Sequence, residues 1–188
     1  MRPLFTIHAG EFIVGELIER SFPELNVWIP SKDTGIDLLV TDKNNSCRPL
    51  SLQVKLSRDY KAAEALNDLD RRLVALGWLT LNHDKIKKSP ADYWVFVLVS
   101  HERKRQPYFV VIQPQELLRR LVAIHGEAER YHFYPWVMDS GLALDGRGLS
   151  VKDKKTLAAE GVVDGERDLS QYLGNWECLK NLGMISCL

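Results

Sequence analysis

The chain has 188 residues, 45% of them hydrophobic and 27% charged, enough for one domain with a real core and an appended lobe. Its 25 basic and 25 acidic residues cancel to a formal net charge of zero, which removes the strongly basic profile that alone would point to nucleic acid. No apolar run approaches the roughly 20 residues that span a bilayer, and Met1 to His8 has no basic region followed by an apolar stretch, so a cytoplasmic protein without a membrane partner is expected.

Ala9 to Phe22 reads as a helix, with Phe12, Ile13, Val14, Leu17 and Ile18 on one face and Pro23 ending it. Asn26 to Pro30 is a short strand with Val27 and Ile29 on one side and Trp28 on the other. Ile36 to Thr41 is a second strand, and a polar turn centred on Asn45 leads into a third. That strand, Leu50 to Ser57, alternates strictly: Leu50, Leu52, Val54 and Leu56 on one face, Ser51, Gln53, Lys55 and Ser57 on the other. Lys61 to Leu79 shows a leucine stripe (Leu66, Leu69, Leu73, Leu76) that predicts a helix. Asp92 to Ser100 is a nearly unbroken apolar strand, as suits the middle of a sheet covered on both faces. Glu102 to Pro107 is a charged turn, Tyr108 to Gln113 another strand, and Pro114 to His125 a helix with proline in its first turn. Beyond Gly126, Arg130 to Val137 reads as an aromatic strand, and Ser150 to Glu160 and Asp168 to Leu179 as helices. The expected fold class is α/β with a mixed central sheet, residues 1–126 forming the core and residues 127–188 an extension of the same domain.

The chemistry concentrates between Gly35 and Lys55. With the turn centred on Asn45, Asp37 lies across from Gln53, and Lys55 follows two residues on along the same face. A slip of one residue would send every side chain to the other face. The first helix offers Glu11 at the border of its apolar face, the acid best placed to lean toward the sheet, whereas Glu16 falls on the opposite side. Asp37 as anionic ligand, the Val54 backbone carbonyl, the neutral oxygen of Gln53 and Glu11, directly or through water, would suit a hard cation such as Mg²⁺ or Mn²⁺ beside a phosphate. Lys55 would orient the attacking water or neutralise charge growing on the phosphate oxygens. Each of these residues alone has an ordinary reading as a turn or solvated side chain; their combination carries the argument.

These residues resemble the PD-(D/E)XK nuclease superfamily, with the restriction-endonuclease-like fold, over roughly Ala9 to Ala123. Glu11 in Ala-Gly-Glu-Phe-Ile-Val-Gly-Glu-Leu is similar to the family's helix acid, and Asp37 in Thr-Gly-Ile-Asp-Leu-Leu-Val to its metal-binding aspartate. Gln53-Val54-Lys55 is similar to the (D/E)XK element in its Gln-X-Lys variant, and Ile36 stands where the motif has proline. The resemblance implies a metal-dependent DNA endonuclease using Mg²⁺ or Mn²⁺, in defence, repair or mobile-element biology, with a homodimer favoured if both strands of a duplex are cut. The alternative is a nuclease-fold protein that no longer cuts and serves as a nucleic-acid or protein-binding module.

Other patterns are weaker. Basic clusters at Lys85, Lys87 and Lys88, at Arg103, Lys104 and Arg105, and at Lys152, Lys154 and Lys155 read as solvated faces unless they converge. The five histidines show no metal-ligand spacing, and no phosphate-cradling GxxxxGK loop is present. Trp94 and the aromatics from Tyr131 to Trp136 read as core or interface. Cys47, Cys178 and Cys187, odd in number and without metal-type spacing, are expected as reduced thiols.

Overall fold

The computed structural model describes residues 8–32, 34–44, 48–57, 68–99, 106–163 and 165–182. It begins with helix α1 (Ala9–Ser21), which closes its first turn by accepting the His8 backbone N–H on Glu11 Oε2 at 3.1 Å. Three strands follow as an antiparallel meander: β1 (Leu25–Trp28), β2 (Leu38–Asp42) and β3 (Leu50–Ser57). The register sets Leu38 opposite Leu52 and Val40 opposite Leu50. The turn centred on Asn45 lies outside the described residues.

The stretch Lys61 to Leu79 is not one helix. Residues 61–67 lie outside the described residues; α2 is a short helix (Asp68–Arg72), and the chain then runs as β4 (Leu73–Leu76) and β5 (Leu79–Asn82). The leucine spacing misleads because the segment is buried on two sides. Leu73 and Leu76 pack with Met138 and Leu157, while Val74 and Ala75 pack in the main core. A short apolar run buried all round carries no period that separates helix from strand. Helix α3 (His83–Lys87) leads to β6 (Tyr93–Leu98), which pairs parallel with β3, and β7 (Tyr108–Ile112) pairs antiparallel with β6. The result is a central mixed five-stranded sheet of order β1-β2-β3-β6-β7, flanked by helices.

Helix α4 (Pro114–His125) starts at its proline as expected. The aromatic stretch after it is two strands, β8 (Arg130–Phe133) and β9 (Pro135–Met138), and β10 (Ala143–Asp145) pairs with β9. β5 pairs with β8 and β4 with β9, so the two pairs form one long antiparallel ribbon bent at Gly77 and Tyr134. Gly77 sits at a close approach: a Cβ there would lie 2.7 Å from Leu98 Cδ2 and 2.8 Å from Pro135 Cγ. Leu98 is fully buried and has no room to yield. Gly77→Ala is therefore expected to cost about 1–3 kcal/mol by overpacking, read as a lower urea midpoint at unchanged slope.

One face of the central sheet (Leu38, Val40, Leu52, Val54, Val95, Val97) packs on Val14 and Ile18 of α1. The other face (Trp94, Phe96, Leu98, Val110, Ile112) packs on Leu117 and Leu121 of α4 and on Tyr131 and Phe133 of the ribbon. After α5 (Val151–Glu160), capped by Ser150, the stretch Asp168 to Leu179 is not a helix. It is a strap with one 3₁₀ turn (Ser170–Tyr172) and a short helix α6 (Glu177–Lys180). Its apolar residues serve different layers, which one helix could not do. Leu169 packs in the α4 layer, Leu173 bridges to Val110 at the β7 edge, and Leu179 and Leu182 reach the α1 layer.

The strap is tied to α4 by a charge network. Arg119 meets Glu116 through two bonds at 2.7 and 2.9 Å, and Arg120 Nε and the Tyr172 hydroxyl both donate to Glu116 Oε1. The Arg119 bonds, ahead of those from Arg120 and Tyr172, hold the Glu116 carboxyl at about 2, below its usual value of 4.5. A carboxyl depressed on folding stabilises fully above its unfolded value, and that stability is lost as pH falls toward the folded value. Glu116→Gln is expected to flatten the fall in unfolding free energy between pH 4.5 and 2 by about 2–3 kcal/mol, checked by urea titrations across that window.

Candidate functional site

The site lies where β2 begins. Gly35, at φ 86°, takes a backbone conformation that disfavours a side chain and turns the chain toward Asp37. The Asp37 N–H donates to the Leu52 carbonyl at 2.8 Å, and its Oδ2 accepts the Val54 N–H at 2.6 Å. The carboxylate thus takes up the ladder position next to the end of β2. In a strand, alternate residues turn both N–H and C=O to the same neighbour. Since Leu52 C=O and Val54 N–H face β2, the Val54 carbonyl turns to the Asp37 side as well.

The paired register ends at Leu38–Leu52, and Asp37 stands just before it, bonded through its N–H to Leu52 and through its carboxylate to Val54, the two residues that flank Gln53. Leu52 and Val54 point into the α1 layer, so Gln53 and Lys55 point to the other face. Both are partly buried. The Lys55 ammonium lies 5.7 Å from the centroid of the Trp94 ring, a cation–π contact that holds it over the sheet. Gln53 Nε2 and Pro90 are both neighbours of Gly35, so the loop after α3 adjoins the site.

Glu11 sits on the α1 side. The helix start lies against β3: a Cβ at Gly10 would be 3.0 Å from Leu56 Cβ and 3.2 Å from Val54 Cγ1. Glu11 is 9% exposed, and its carboxylate is engaged with the His8 N–H. Asp37 and Val54 are therefore brought together, Gln53 and Lys55 flank Val54 on the face away from α1, and Glu11 lies on the α1 side of the sheet.

Two neighbouring residues escaped the sequence reading. Asp92, expected only as the start of a strand, accepts the Ser51 N–H and hydroxyl at 2.8 and 2.7 Å. Trp78, expected inside a helix, sits at the ribbon bend with its N–H donated to Ser57 Oγ at 2.7 Å. The only sequence signal for that bend is Gly77 before it. Lys85, Lys87 and Lys88 are exposed on and just after α3, with Lys88 bonded to Asp84, and Lys152, Lys154 and Lys155 are exposed on α5. The third basic cluster, Arg103 to Arg105, lies outside the described residues. Trp94, Tyr131 and Phe133 are core residues. Cys178 is a free thiol whose pKa burial pushes up to about 11; Cys47 and Cys187 lie outside the described residues.

Among the described residues no group of three His, Cys, Asp or Glu gathers around a point. Among the described residues no helix is long and apolar enough to cross a membrane. Comparison with known protein families, with characterised proteins and with solved structures gives no match.

Proposed function

We propose that the chain is a metal-dependent endonuclease of the restriction-endonuclease-like, PD-(D/E)XK type, acting on DNA in defence, repair or mobile-element biology. The observation that carries this is the Asp37–Val54 contact at the start of β2, with Gln53 and Lys55 on either side of Val54 in β3. The antiparallel meander followed by the parallel β3–β6 pair supports it.

The donors are all oxygens: the Asp37 carboxylate, the Val54 carbonyl and the Gln53 amide, while Glu11 stays engaged with the His8 N–H. That set suits Mg²⁺ or Mn²⁺, hard cations that retain several waters. When bound, the ion polarises a phosphoryl oxygen and lowers the pKa of a coordinated water. Asp37 is held for this role because its Oδ2 is fixed on the Val54 N–H, which leaves Oδ1 to face the ion. Lys55 sets its ammonium against the phosphate oxygens, and the Trp94 ring leaves the N–H groups free to donate. Cutting a duplex on both strands would require two copies, since one such site serves one strand.

The second reading is a nuclease-fold module that binds nucleic acid without cutting. Two observations favour it: the amide of Gln53 in place of an acid, and the engagement of Glu11 with the helix cap. Incubation of plasmid, single-stranded and branched DNA with Mn²⁺ separates the two. Cleavage by the native chain that vanishes in Lys55→Ala supports the nuclease; intact substrates throughout, with Mn²⁺ bound or not, would leave the binding module.

A further inference from the structure

We infer that the β1 edge of the central sheet is a dimer interface, at which β1 of a second copy of this chain pairs antiparallel about a two-fold axis at Val27. The inference stands apart from the endonuclease reading, although it supplies the second copy that cutting both strands requires.

The two edges of the sheet are treated differently. At β7 the strap covers the edge: the Gly174 N–H donates to the Phe109 carbonyl at 2.7 Å, and Leu173 bridges Val110. At the other end of the sheet, β1 has β2 as its one strand neighbour among the described residues. The Lys43 N–H donates to the Glu24 carbonyl, whereas the Leu25 N–H turns back to the Phe22 carbonyl. By strand alternation Asn26 and Trp28 then face β2, and Val27 turns its N–H and C=O outward. A groove of about 350 Å³ runs along this edge, lined by the four residues of β1 with Glu19, Pro23 and Lys43. The strand edge is therefore open where the strap closes its counterpart.

Sheet edges that must stay alone are blunted by charge, proline or a bulge. Residues 25–29 carry no charge and no proline, and β1 pairs with β2 without a register shift. Trp28 and Ile29 are exposed there, and Phe12 joins them from α1. Gly15 of α1 turns toward Val27, and Phe12, three residues earlier, lies on the same flank of the helix. A second β1 suits this edge because the strand is complementary to itself. With the axis at Val27, each Val27 N–H donates to the Val27 carbonyl of the other copy. Trp28 of each copy then comes opposite Asn26 of the other, beside the groove. No charged residue of the strand meets its like. Such a pair uses one edge per copy and closes on itself, which makes a dimer and not a fibre.

The test is sedimentation velocity of the full chain across micromolar concentrations, joined to amide hydrogen exchange at Val27. The native chain is expected to sediment at twice the mass of one copy, with a Val27 amide that exchanges slowly in the dimer and quickly on dilution. Val27→Pro removes an N–H that faces away from β2 and is expected to raise the dimer Kd at least about tenfold, with circular dichroism unchanged. Ile29→Lys keeps every backbone group and is expected to weaken the dimer as well, by setting charge at the seam; it decides the matter if the proline variant does not fold. Val151→Lys, at an exposed position on α5, is expected to leave the dimer intact. A native chain that stays monomeric overturns the inference and leaves the edge to a strand of another protein. A dimer whose Val27 amide exchanges freely, or one that Ile29→Lys does not weaken, overturns it too. A dimer that pairs through Val27 and never cleaves DNA leaves the inference standing and removes the endonuclease reading alone.

Discussion

Asp37→Asn is expected to lower Mn²⁺-dependent cleavage by at least about a thousandfold while the chain stays folded. The asparagine keeps an acceptor oxygen for the Val54 N–H, so the end of β2 stays tied to β3. What disappears is the one full negative charge among the oxygen donors that face the proposed cation. Gln53 and the Val54 carbonyl are neutral, and Glu11 is engaged at the helix cap, so nothing nearby replaces that charge. Asp37→Ala should add a structural cost of about 1–3 kcal/mol, because it leaves the Val54 N–H without its partner. Calorimetric Mn²⁺ titration of both variants, beside their thermal melts, distinguishes lost charge from lost structure. Full cleavage by Asp37→Asn would contradict the assignment of Asp37 as the metal ligand.

Arg120→Ala is expected to destabilise the chain by about 3–5 kcal/mol, the largest stability effect of any single substitution proposed. The Arg120 side chain is only 8% exposed, and its Nη1 donates to the carbonyls of Gly165, Glu166 and Asp168 at 3.1, 2.9 and 2.8 Å. Its Nε meets Glu116 at 2.7 Å, and its guanidinium lies 5.1 Å from the Tyr172 ring. Truncation leaves carbonyls of the strap and a carboxylate short of their donor, and burial makes each omission costly. Arg120→Lys should recover only part, since an ammonium cannot copy a planar fork that serves Glu116 and the strap together. Urea denaturation of the two variants gives the comparison, and a loss below about 1 kcal/mol for Arg120→Ala would show that the strap is held chiefly by its leucines.

The parts of the fold that follow a clean period were legible in the sequence. Ala9 to Phe22 and Pro114 to His125 differ from their helices by one residue or none, and Leu50 to Ser57 matches its strand. The pairing of Leu38 with Leu52 followed from the length of the turn, because a register fixed by one buried face has no neighbouring solution. The ribbon was not legible. Leu73 to Leu76 is buried on both sides, so its leucines mimic a helical stripe, and Trp78 was hidden with it. The strap failed for a related reason: Leu169, Leu173 and Leu179 serve separate layers, and no local pattern encodes that division. The engagement of Glu11 with the His8 N–H was also unreadable, since a glutamate in a first turn can cap or point outward with equal local propensity.

The strap has a consequence for biosynthesis. Phe109 of β7 leaves the ribosome well before Trp176, the ring that packs on it edge to face with centroids 5.6 Å apart. That part of the sheet therefore keeps apolar surface in water until the strap has emerged. Nascent chains stalled short of Trp176 should be open to protease at β7, and chains extended through Leu182 should close that window.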